Sequence, residues 1–264
     1  MVVLKELYGH SGCKVSLTKS KGKYEEDLFV RKISKDKEYN LRLEKQFFKQ
    51  NSFNHRDIKS PRIYSSGFCG GLFYFDMEYI EGRPFHDFIA SHHPNDSIKI
   101  LNTIFNIYKS TLYPLVDERV KSKIKSLNST PSNETLLDYC SDFDWSGMSV
   151  SNCHGDLSLE NIIIKNNKIY LIDFLDSFVD SRFIDISKVF VDLMFGWSWR
   201  YQSSFPFVKN AIILNYFQKS LTDKDKEVYN RLIPLQLMRI LNYCNDSVSE
   251  ELIGQSLSHL KSRL

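Results

Sequence analysis

The sequence predicts an α+β protein in two lobes, a small β-rich one followed by a larger, mainly helical one. Three observations carry that expectation. Short runs of β-branched and aromatic residues fill the first eighty or so positions around one amphipathic segment. Apolar residues then recur at helical spacing through most of the remaining chain. Two strand-like runs, "IIIK" (162–165) and "KIYLIDF" (168–174), interrupt that helical part. A turn at 78–82 marks the expected boundary, with lobes of residues 1–81 and 82–264.

The elements follow from local chemistry. "KVSLTK" (14–19) and "DLFVRKIS" (27–34) are divided by the polar "SKGKYEE" and predict a hairpin. "DKEYNLRLEKQFFKQ" spaces Leu41, Leu43, Phe47 and Phe48 among charges, which predicts an amphipathic helix. "GLFYFDMEYIEG" (71–82) is aromatic, strand-like and closed by a turn. Pro94-Asn95-Asp96 opens a helix carrying Ile98, Leu101, Ile104, Phe105, Tyr108 and Leu112, while His92-His93 ends the one before. "LNSTPSNET" has capping residues but no apolar face, and predicts a loop. Four segments after residue 190 predict helices, including "KEVYNRLIPLQLMRILNYC".

Composition excludes several functions. A net charge of +3 over 264 residues gives no polyanion footprint, and Lys121, Lys123 and Lys125 suit a solvated helix face, so no nucleic-acid partner is expected. Five cysteines without a C-x-x-C pair disfavour a disulfide framework or zinc site and suit a reducing compartment. No apolar run reaches the roughly 18 residues of a membrane span, and no signal peptide is evident, so the expected location is cytoplasmic.

The segment "NCHGDLSLENIIIKNNKIYLIDF" (152–174) threads His154, Asp156, Asn161 and Asp173 through strand-like runs. Asn166-Asn167 is a two-residue hairpin turn, so Asn161, before the first strand, and Asp173, near the end of the second, reach the same end. An amide oxygen beside a carboxylate is a hard-oxygen pair suited to Mg²⁺ shared with phosphates. Asp156, five residues before Asn161, can face a hydroxyl held close to that metal.

H-x-D-x4-N followed by an Ile-Asp-Phe strand resembles the catalytic segment of the aminoglycoside phosphotransferase and choline kinase family, small-molecule relatives of protein kinases. The resemblance spans roughly residues 8–200 and implies a bilobal protein-kinase-like fold with a catalytic hairpin in the larger lobe. "GHSGCKVSL" resembles the loop over the nucleotide phosphates, with backbone amides around Ser11 and Gly12. "LFVRK" places Lys32 as the phosphate-binding lysine, and "RLEKQFFK" places Glu44 as its partner, with Glu38 as the alternative. "MEYIEGRPF" resembles the hinge, implying backbone contacts to the base at Glu78 and Ile80. Asp185 matches the aspartate that braces the catalytic loop, and His154 is its scaffold residue. Asp156 would accept the acceptor's proton, while Asn161 and Asp173 would hold Mg²⁺.

The resemblance implies an ATP-dependent O-phosphotransferase, with GTP as an alternative donor, acting on the hydroxyl of a small molecule. Asp185 follows Asp173 by 12 positions, too short for a protein-kinase activation segment. Asp176, Trp197, Trp199 and Arg200 are candidates for the acceptor side, where a Trp face could stack on a sugar or hold a quaternary ammonium. The expected acceptor is a sugar or choline-like amino alcohol, and "LIDFLDSF…ID" resembles relatives encoded beside surface-glycan genes. An aminoglycoside-resistance kinase and a non-catalytic nucleotide-binding module are the alternatives.

Overall fold

The computed structural model describes residues 2–7, 13–22, 24, 27–111, 116–130 and 133–264. The expected loop residues Ser11 and Gly12 lie outside them. In chain order the elements are β1 (Val2–Leu7), β2 (Cys13–Lys19), β3 (Leu28–Ser34), α1 (Asn40–Asn51), β4 (Ile58–Lys59), β5 (Ile63–Cys69), β6 (Leu72–Glu78), β7 (Arg83–Pro84), α2 (Phe85–Ser91), α3 (Pro94–Phe105), β8 (Ser110–Thr111), α4 (Val116–Lys125), α5 (Glu134–Ser141), β9 (Val150–Ser151), β10 (Ile162–Lys165), β11 (Lys168–Leu171), α6 (Arg182–Phe195), α7 (Phe207–Lys219), α8 (Asp223–Leu241) and α9 (Ser247–Lys261). Single 3₁₀ turns lie at Trp145–Gly147, Leu159–Asn161 and Trp197–Trp199. The fold is α+β.

The chain divides into two compact units, residues 1–83 with 161–176, and residues 84–160 with 177–264. The sequence reading assigned the catalytic hairpin to the helical lobe. Its packing instead puts it in the β-rich unit, because Ile163, Tyr170 and Ile172 bury their side chains against Ile80. Gly82 permits that approach: a Cβ there would stand 2.5 Å from Ile163 Cγ2 and 2.9 Å from the Ile164 carbonyl oxygen.

The first unit is built on an antiparallel sheet in the order β1-β2-β3-β6-β5. Alternation along β3 sends Val30, Lys32 and Ser34 to the buried face, where Val30 joins Leu43 of α1, Phe73, Phe75 and Met77 in the core. A lysine inherits a core position by this register. On the opposite face Arg31 clamps the fully buried Asp76 through Nε at 2.6 Å and Nη2 at 2.8 Å, with the Tyr24 hydroxyl donating to the same carboxylate at 2.6 Å. The second sheet runs β4-β11-β10-β7, with β4 parallel to β11. Asn166 and Asn167, at φ 50° and 59°, supply the left-handed turn that joins β10 to β11 in register.

The second unit is helical. Asp246 caps α9 by accepting from the Ser249 amide, and Thr222 caps α8 by accepting from the Asp225 amide. In α4, Val116, Val120 and Ile124 are buried at four-residue spacing, leaving the lysines outside that stripe. The core helix α6 is sheathed by α7 and α8 and ends at Gly196 in the left-handed conformation. Among the described residues no helix is long and apolar enough to cross a membrane.

Candidate active site

In the first unit β11 is shorter than the sequence suggests, ending at Leu171 and not at Phe174. Asp173 adopts φ 61°, a left-handed conformation that an extended ladder cannot continue. The Ile172 amide donates to the Asn161 carbonyl at 3.0 Å, so Asn161 lies across the hairpin from the residue that precedes Asp173. Asp173 is ion-paired with Lys32, whose side chain is 3% exposed. Burial pushes the Lys32 ammonium toward a lower pKa, but the Asp173 charge, then Cys13 and the hydrogen bond to Asp173, together outweigh it and hold the group above its ordinary value. The stretch after Asp173 is tied to α1 and the loop beyond it. Lys49 donates to the Leu175 carbonyl at 3.0 Å, and the Phe53 and Phe174 rings meet at 5.2 Å.

Two expected residues of this unit stand elsewhere. Glu44 was expected to partner Lys32, but among the described residues Lys32 has Asp173 as its ion-pair partner and Glu44 forms no ion pair within 4.0 Å. The physical reason is position: Lys32 is sunk in the core face of β3, whereas Glu44 sits on a half-buried turn of α1. Asp176 pairs across 3.6 Å with the exposed Lys45 of the same unit. Glu78 ends β6 with its amide donating to the Arg62 carbonyl at 2.9 Å, and Ile80 contributes its side chain to the apolar cluster with Ile163, Tyr170 and Ile172.

In the second unit the loop from His154 to Glu160 is held by carboxylates from one face of α6. Asp185, fully buried, accepts from the His154 amide at 2.5 Å, the Gly155 amide at 2.8 Å and the Tyr108 hydroxyl at 3.1 Å. Gly155 takes φ 96°, which a residue with a Cβ rarely adopts. Asp192 accepts from the Leu159 amide at 2.7 Å and the Ser198 amide at 2.6 Å. Burial pushes the Asp192 carboxyl up to about 7. His154 is buried, and its Nδ1 accepts from the Asp156 amide at 3.3 Å, which makes it a scaffold of the loop.

Asp156 itself pairs with Lys188 of α6, Nζ to Oδ1, at 2.8 Å. Burial pushes the Asp156 carboxyl up, but Lys188, then His154 and Arg239, outweigh it and hold the group below the usual carboxylate range. A carboxylate with this environment is ionised at neutral pH and can accept a proton from a hydroxyl.

The tryptophans do not offer open faces. Trp197 and Trp199 are buried; the Arg200 guanidinium lies 4.0 Å from the Trp197 ring centroid, and Trp199 packs edge-on against Phe205 and His86. Arg200 also donates to the Trp197 carbonyl at 2.8 Å and pairs with Glu160 at 3.3 Å. These side chains pack the end of α6 and do not form the expected stacking surface.

Asp192 and Lys188 were missed by the sequence reading, although a signal was present. Asp185, Lys188 and Asp192 fall three and four residues apart, a polar stripe on one face of an otherwise apolar helix.

No protein-family model matches the sequence, and no curated protein matches it. Solved structures do match the fold over nearly its whole length. A thermostable mutant of aminoglycoside phosphotransferase APH(4)-Ia, in a ternary complex with ADP and hygromycin B, is 12% identical, covering 97% of this chain and 93% of its own at a TM-score of 0.64. The choline kinase LicA from Streptococcus pneumoniae is 15% identical, covering 99% of this chain and 94% of its own at 0.62. A putative fructosamine-3-kinase from Haemophilus somnus is 15% identical, covering 95% and 90% at 0.54. The chain therefore has the fold of small-molecule kinases, as the resemblance of its catalytic segment implied.

Proposed function

We propose that the chain is an ATP- and Mg²⁺-dependent O-phosphotransferase, transferring the γ-phosphoryl group to a hydroxyl of a small metabolite. The observation that carries this reading is the buried Lys32 paired with Asp173 at the open end of the hairpin, with Asn161 across from Ile172, in a chain with the fold of small-molecule kinases. Neighbours crystallised with ADP and AMP-PNP support nucleotide binding. The β-rich lobe is the nucleotide lobe in this reading, with Ile80, Ile163, Tyr170 and Ile172 as an apolar platform for the base.

Each residue then has one task. Lys32 neutralises donor phosphates, and its core position on β3 limits its motion. Asn161 and Asp173 present an amide and a carboxylate oxygen, a donor set that fits Mg²⁺ and leaves room for phosphate oxygens. Bound there, the ion would offset charge on the phosphates. Asp156 orients the acceptor hydroxyl and takes its proton as the hydroxyl oxygen bonds to the γ-phosphorus, and the γ–β bridging bond breaks with its electron pair leaving on the nucleoside diphosphate. Asp185 and Asp192 fix the loop that carries Asp156. The free state of all five cysteines suits the reducing, cytoplasmic setting in which such donors are abundant.

The test is Mg²⁺-dependent release of ADP from ATP across a panel of sugars, amino alcohols and aminoglycosides, for wild type and Asp156→Asn. Acceptor-stimulated release that Asp156→Asn removes supports the reading. Mg-ATP binding with no turnover on any acceptor supports a regulatory nucleotide-binding module instead.

A further inference from the structure

We infer that the helical unit carries a second binding site, sharing no residue with those assigned to phosphotransfer, for a straight-chain carboxylate whose tail enters between the helices and whose head meets Arg263 at the rim. The site is a cavity of about 510 Å³ bounded by α5, α6, α7, α8 and the end of α9, all within the second unit. Protein interiors pack so closely that gaps larger than a water molecule are few. A volume of this size instead falls in the range of small-molecule pockets, about 300–1,000 Å³.

Pro234 stands inside α8 at the wall of this cavity. It has no amide hydrogen for the Asn230 carbonyl one turn earlier, and its ring occupies the place of that bond. Both residues line the cavity, so the gap lies where the helix ladder is interrupted. Burial and polarity change together across the lining. Leu136, Ile233 and Pro234 are buried and form an apolar floor. Met194, Leu214 and Leu260 are half-buried and form aliphatic walls, while Gln218, Asn230 and Arg263 are exposed and form a polar rim.

That gradient selects an amphiphile. A sugar would bury hydroxyls against a floor of aliphatic side chains, at a cost no partner there offsets. The one ring in the lining, Tyr139, already lies against the Arg231 guanidinium at 4.5 Å, so a flat aromatic ligand finds no second ring to stack between. An unbranched alkyl chain suits the floor and walls. The head follows from the rim, where Arg263 is the sole charged side chain and the two carboxamides add N–H donors. Among the described residues Arg263 forms no ion pair within 4.0 Å. Leu264 is 58% exposed, so a chain-end carboxylate there is solvated and competes weakly for the guanidinium. Arg263 is exposed as well, and its preference for a carboxylate is therefore modest beside the gain from burying the tail.

The experiment titrates the full chain by calorimetry with decanoate, octanoate, decanol and decylamine, each below its micelle-forming concentration. Decanoate should bind saturably, and octanoate about tenfold more weakly, for the two methylenes it lacks. Decanol should bind about threefold more weakly than decanoate, with decylamine weakest. Leu214→Trp, which fills the cavity from its wall, should abolish decanoate binding at an unchanged melting temperature. Arg263→Gln should remove the preference for decanoate over decanol and leave decanol affinity as it was. Should Leu214→Trp unfold, the exposed Arg263→Gln and the octanoate comparison still decide. Absence of saturable decanoate binding, equal affinity for octanoate, or binding that a folded Leu214→Trp retains overturns the site. Decylamine binding as tightly as decanoate, or a head-group preference unchanged in Arg263→Gln, overturns the carboxylate assignment. No nucleotide is present, so failure of the phosphotransferase reading would leave each of these results unaffected.

Discussion

Each of the two units holds a lysine–carboxylate pair whose lysine is largely buried, and the two pairs are built by different means. In the first, Lys32 reaches Asp173 through sheet register and through a left-handed backbone at φ 61°. In the second, Lys188 meets Asp156 because α6 presents a polar face, from which Asp185 and Asp192 also grip the loop amides. Lys32 is 3% exposed and Lys188 12%, while their carboxylates keep 33% and 25% exposure. In both cases the cation is buried and the acid remains reachable. That is the arrangement wanted where the acid must meet a metal or an acceptor proton, and it is unlike a structural pair such as Arg31–Asp76, whose acid is fully buried.

Substitutions can break this comparison, and the largest effects should fall on the two acids. Asp173→Asn removes the proposed metal carboxylate and should lower turnover by about 10³-fold or more. Asp156→Asn removes the proposed base and should lower it by about 10²–10⁴-fold, with ATP affinity little changed in calorimetry. Lys32→Ala should cost about 10²-fold in kcat/KM; an unchanged value would mean that the buried lysine of β3 is structural. A smaller effect separates scaffold from chemistry. Asp185→Ala strands two buried amides and the Tyr108 hydroxyl and should cost about 3 kcal/mol in urea unfolding. Asp156→Asn should not reproduce the loss of the loop amide bonds.

The pH dependence sharpens the contrast further. Asp192 has its folded-state pKa raised to about 7, above an unfolded value of about 3.9. Its contribution to stability is therefore fully present below about pH 4 and is lost as pH rises through about 7. Melting temperatures of wild type and Asp192→Asn between pH 4 and 8 should diverge with that sign. Asp156 has the opposite shift: its contribution is present above its unfolded value of about 3.9 and is lost only as pH falls through a still lower folded pKa. Turnover governed by Asp156 should consequently stay flat from neutrality down to about pH 4.

Much of this was legible in the sequence, and the omissions have physical causes. The β10–β11 hairpin and its Asn-Asn turn could be read because local turn chemistry decides them. The end of β11 could not, because nothing in "LIDF" marks a left-handed aspartate. β1 and β5 were not singled out, since an exposed edge strand such as Val2–Leu7 carries little alternation. The tryptophans suggested open aromatic faces, and only packing shows that Arg200 covers one and Phe205 meets the other. Lys188 went unread because its partner lies 32 positions away in sequence, although its place on the Asp185 and Asp192 face was visible.

In the proposed phosphotransfer Asp156 and Asp173 serve one reaction, and a double-mutant comparison of single-turnover rates tests that most directly. Asp156→Asn and Asp173→Asn should each suppress Mg²⁺-dependent transfer, and the double variant should be scarcely slower than the worse single one, as for residues that act as a unit. A wild-type rate in either single variant would contradict the account.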